Sequence, residues 1–77
     1  MNEYSPQEVR LANEIAEALD DHTSLALFLH FAQKYKEEHL LKLLDKVLSV
    51  PEHKIKKTRG ALFTFLVAQH ADGYSRD

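Results

Sequence analysis

Thr23-Ser24-Leu25-Ala26-Leu27-Phe28-Leu29-His30-Phe31-Ala32-Gln33-Lys34-Tyr35 can be read as a buried strand or as a helix, and the two readings lead to different architectures. Seven of the eight residues from 25 to 32 are apolar, so periodicity alone does not separate them. Two features favour the helix. Thr23 or Ser24 offers a hydroxyl cap at the start, and the run holds no β-branched residue between Leu25 and Tyr35. A helix this apolar on nearly every side should be the central element of the fold.

The same logic extends in both directions. Upstream, Ser5-Pro6-Gln7-Glu8 puts a hydroxyl at a helix N-cap, proline at the first helical position and glutamate three residues after the cap. Ala12, Ile15, Ala16 and Leu19 then recur at helical spacing and stop before Asp20-Asp21-His22. Downstream, a joint at Lys36-Glu37 leads to a third helix with Leu40, Leu43, Leu44 and Val47 as its inward stripe, widened by Leu41 and Leu48. Pro51 ends it, because the residue before a proline is pushed out of the helical region. Ser49 to Glu52 repeats the cap-plus-glutamate spacing and predicts a short extra turn. Thr58 then caps a last helix running to about Ala71, where Asp72-Gly73 supplies the stop.

The reading is therefore an all-α fold, a small bundle of four helices with short connections. Residues 1–77 form one domain, with 1–5 and 74–77 frayed, since a chain this short has too little surface to bury for two cores. The chain holds no cysteine, so disulfides and thiolate metal sites are excluded and a reducing, cytoplasmic setting is expected. The polar opening Met1-Asn2-Glu3-Tyr4-Ser5-Pro6 is unlike a secretory leader. The densest apolar run falls far short of the roughly 18 residues a membrane span needs, so no membrane partner is expected.

Charge is unevenly spread. Residues 1–33 carry one cation, Arg10, against six carboxylates, a net of -5. Residues 34–59 carry eight cations against four carboxylates, a net of +4. Such polarity points to an anionic partner, and equally to attraction between the two halves inside the fold.

The basic charge concentrates at Lys54-Ile55-Lys56-Lys57-Thr58-Arg59-Gly60. Cations at a helix start oppose the dipole, which makes sense where an anion binds to the free amides there. Gly60, without a side chain, would admit a phosphate, and Lys54, Lys56, Lys57 and Arg59 would neutralise it. The competing reading makes these lysines a solvated connector, Ile55 a plug in the core and Gly60 a point of close helix approach. Tyr35 could border the patch as a stacking surface or belong to the core.

Catalysis and cofactor or metal binding are not expected. His22, His30, His39, His53 and His70 contain no pair at a spacing of three or four residues, and His30 reads as a core-edge side chain. Asp20-Asp21-His22-Thr23-Ser24 has the residue types of acid-base chemistry, but its order is that of a helix stop followed by a cap. No small-molecule substrate is expected. The apolar breadth of helices 2 and 4 implies surface for another chain, so a protein partner or homodimer stands as the alternative to nucleic acid. A third reading makes acidic helix 1 a nucleic-acid mimic.

Lys54-Ile55-Lys56-Lys57, followed by Gly60-Ala61-Leu62-Phe63 and Leu66 after the leucine-rich third helix, resembles helical tail segments of phage and plasmid replication-initiator or replisome-organiser proteins. The resemblance covers the last third to half of the chain and implies a role beside DNA, in replication or a mobile element. Ala68-Gln69-His70-Ala71-Asp72-Gly73 departs from it, lacking the basic continuation of a tail that tracks DNA. That departure bears on direct DNA contact and leaves a protein-contacting role open.

Overall fold

The first helix, α1 (Pro6–Leu19), begins as its capping box requires. The Glu8 amide donates to Ser5 Oγ at 3.1 Å, and the Ser5 amide donates to Glu8 Oε1 at 2.9 Å. The computed structural model describes residues 3–69, so the expected Asp72-Gly73 stop and the frayed end 74–77 lie outside the described residues. Three further α-helices follow, α2 (Leu25–Lys34), α3 (Glu37–Leu48) and α4 (Arg59–Gln69), with a 3₁₀ turn at Glu52–Lys54 before the last. The chain is thus a small all-α bundle. No helix among the described residues is long and apolar enough to cross a membrane.

α1 stops at Asp20, which takes the left-handed conformation (φ 52°) that aspartate tolerates better than most side chains. Its amide and that of Asp21 return to carbonyls of the last turn of α1. The start of α2 differs from the sequence expectation. Neither Thr23 nor Ser24 caps it with a side-chain bond; Asp21 does the work instead. Asp21 Oδ1 accepts from Thr23 Oγ1 at 2.9 Å and from the Ser24 amide at 3.3 Å, an Asx-type arrangement that turns the chain into α2.

α2 packs chiefly on α1, and α3 chiefly on α4. α2 is not the central element that its composition suggests: it buries Phe28, Phe31 and Ala32, half-buries Leu25 and Leu29, and leaves Ala26, Leu27 and His30 exposed. The reason is that α1 and α3 each present a five-residue buried stripe, which fills the interior without the far side of α2. On α3 the stripe is His39, Leu40, Leu43, Leu44 and Val47 as its spacing demands, whereas Leu41 and Leu48, expected to widen it, face solvent. The two pairs meet at Phe63 of α4, fully buried, with edge-to-face ring contacts to Phe28 (5.8 Å between centroids) and Phe31 (6.2 Å). Each such contact adds about 0.5–1.5 kcal/mol beyond the area it buries.

The chain leaves α3 through Ser49, whose hydroxyl donates to the Lys46 carbonyl at 2.8 Å rather than capping the next turn. That turn forms all the same, closed by the Lys54 amide donating to Pro51 O at 2.9 Å and the Ile55 amide to Glu52 O at 3.0 Å. These bonds aim the basic segment along the first turns of α4.

Candidate functional site

Thr58 starts α4 as its sequence position predicts: its Oγ1 accepts from the Ala61 amide at 3.0 Å, and its carbonyl accepts from the Leu62 amide at 3.0 Å. With that end fixed, Phe63 and Val67 anchor the inner face of α4 in the core. The outer face is then determined by helical spacing. Thr58, Ala61, Leu62 and Phe65 fall at i, i+3, i+4 and i+7 and form a stripe turned away from Phe63.

Beside this stripe the connector folds back to make an open concavity of about 440 Å³. Its rim is Lys54, Lys56, Lys57 and Thr58, and its floor is Ile55, Ala61, Leu62 and Phe65. The three lysines are exposed, Ile55 and Leu62 are half-buried, and Phe65 is 60% exposed, more than any other large apolar side chain among the described residues. The lining thus combines three cations with an apolar, partly aromatic surface.

Arg59 and Gly60 stand apart from this concavity. Gly60 is buried, and what covers it is the carboxylate of Asp21: a Cβ at Gly60 would overlap Asp21 Oδ2 and lie 3.0 Å from Asp21 Cγ. The expected approach of a phosphate to the backbone at Gly60 is therefore replaced by an internal one. Asp21 already puts a negative group at the end of α4 that favours anions, and the Ala61 amide is taken by Thr58. Asp21 is held ionised in this position. Donation from the Thr23 hydroxyl is the largest influence lowering its pKa, and the Ser24 hydroxyl and amide and the nearby His22 add to it, outweighing the partial burial that acts the other way.

A second concavity, about 490 Å³, lies between the starts of α1 and α3. It is lined by Ser5, Glu8, Glu37 and Glu38, with Tyr35 and Leu41 among its apolar members. Ser5 and Glu8 are engaged through the capping box, and Gln7 Nε2 donates to Glu37 Oε1 at 3.0 Å. Three carboxylates on the wall, Glu8, Glu37 and Glu38, against one cation, Lys36, suit it poorly to phosphate. Tyr35 belongs here and to the core, 4% exposed and in ring contact with Phe31 and His39, and does not border the basic concavity. His22, His30 and His53 are exposed and His39 is buried. Among the described residues no three His, Cys, Asp or Glu side chains gather as a metal site would need.

Phe65 is the residue that sequence reading missed. Its signal was present in the stripe Thr58, Ala61, Leu62, Phe65, which begins inside the basic segment. The general greasiness of α4 concealed it, because the apolar residues on both faces leave little contrast between inside and outside.

No protein-family model, curated protein or solved structure matches this chain.

Proposed function

We propose that this chain is a non-enzymatic binding module that takes nucleic-acid phosphates on the rim formed by Lys54, Lys56 and Lys57. The observation that carries the reading is that all three, with Thr58, line one concavity. Lysine ammonium groups neutralise phosphates as point charges, and the counterions released make such binding salt-dependent. Gly60 leaves the candidate set because Asp21 occupies the space that the phosphate would need, and Arg59 because it does not line the concavity. The likeness of this segment to replication-initiator tails supports a setting beside DNA.

A salt series tests the reading. Affinity for a short oligonucleotide should fall with log salt at a slope of about -2 to -3, as three phosphate contacts dictate. Lys56→Gln with Lys57→Gln should flatten that slope by about 1.5 or more. Loss of all affinity at low ionic strength in the unaltered chain would end the proposal.

A second reading draws on Phe65 and on Leu27, which keep 60% and 37% of their surface exposed on α4 and α2. It makes these faces contacts for a protein partner or a second copy. Sedimentation over a concentration range separates the two: a mass that rises with concentration in the absence of nucleic acid, and falls on Phe65→Asp, favours self-association.

A further inference from the structure

We infer that the ligand of this site is a single strand, DNA or RNA, with one unpaired base stacked on Phe65 and the flanking phosphates on the lysine rim; this rests on the reading just proposed. A duplex offers phosphates and base edges, since its base faces are already stacked on one another. It would satisfy the lysines and leave the floor of the concavity uncovered. An unpaired base offers a flat apolar face, which is what Phe65 together with Leu62 and Ile55 is equipped to cover.

The dimensions agree. Lys54 and Lys57 are three residues apart, at most about 10 Å of chain, so the rim serves a short run of phosphates rather than a long groove. The concavity, about 440 Å³, is of a size that small planar groups occupy. An exposed ring on an anchored helix also costs little to use. Phe63 and Val67 hold α4 in place, so stacking on Phe65 orders one side chain and no backbone. Charge complementarity selects a polyanion, and the aromatic floor selects one that carries planar apolar faces.

The chain contains no tryptophan, so Phe65→Trp creates a single indole reporter at the centre of the site. Oligothymidylate and oligouridylate of about 8 nucleotides, and a duplex of matched length, serve as probes. The expected result is quenched indole emission on adding either single strand, with affinity retained. Phe65→Ala should weaken single-strand binding by about 5- to 100-fold while leaving duplex binding unchanged. Oligodeoxyuridylate, which differs from oligouridylate only in the sugar, distinguishes DNA from RNA as the source: a preference between those two reports contact with the ribose hydroxyl. Unchanged single-strand affinity in Phe65→Ala, with strand and duplex binding alike, would overturn the stacking inference and leave the phosphate reading standing. No binding of any probe at low salt, with emission altered instead by an acidic peptide carrying leucine, would overturn both. Phe65 is exposed, so thermal melting of both variants should match the unaltered chain and separate loss of binding from loss of fold.

Discussion

Asp21 and Gly60 are 39 positions apart in sequence and in contact in space, and each explains the other. Gly60 sits in the first turn of α4, where alanine in place of glycine ordinarily stabilises by somewhat less than the roughly 1 kcal/mol of a helix interior. At Gly60 the added methyl displaces a carboxylate pinned by Thr23 and Ser24, so Gly60→Ala should instead destabilise by about 1 kcal/mol. Asp21→Ala should cost a similar amount through loss of the turn into α2. In the Asp21→Ala background Gly60→Ala should become neutral or favourable, and chemical denaturation of all four proteins measures a coupling of about 1–2 kcal/mol. Acid provides an independent readout. The folded Asp21 carboxyl titrates below its ordinary value, so its contribution to stability is complete above about pH 4 and is lost as the pH falls through the depressed folded value. Asp21→Asn should therefore show a smaller loss of stability than the unaltered chain as the pH falls below about 4, read from melting temperatures across an acid series.

At the level of the helices, the starts were legible wherever one side chain sets them by local geometry. Ser5 with Glu8, and Thr58, make the bonds that their spacing implies. Thr58→Ala should cost about 1 kcal/mol and fray the first turn of α4, detectable as faster amide exchange at Ala61 and Leu62. The start of α2 was misread because Asp21, Thr23 and Ser24 all carry suitable oxygens, and which of them caps depends on the left-handed turn at Asp20 just before. Which apolar side chains face inward was legible on α1, where polar residues mark the outer face. It was less so on α2 and α4, where Leu27 and Phe65 share their helix with equally apolar buried neighbours. Lys54, Lys56, Lys57 and Thr58 share one concavity because they lie within five residues, a grouping visible in the sequence; the covering of Gly60 was not, since it depends on a residue from the other half of the chain.

Across the whole molecule, Phe63 carries the meeting of the two helical pairs. It is fully buried against Phe28 and Phe31, and a domain of this size has on the order of 4–12 kcal/mol of stability in all. Phe63→Ala should remove about 3–5 kcal/mol and lower the melting temperature by at least about 15 °C, a test read by circular dichroism. The charge polarity of the chain takes a specific form at this scale: Asp21 from the acidic half covers the start of α4, and the lysines of the basic half remain at the rim of the concavity. The pairing of each helix with its neighbour in the chain also bears on how the molecule comes to exist. α1 and α2 are joined by residues 20–24 and α3 and α4 by residues 49–58, so the largest helix contacts are between chain neighbours, the kind of topology that favours fast folding. The two pairs are then joined around Phe63 and along the sides where α1 meets α3 and α4 and where α2 meets α3.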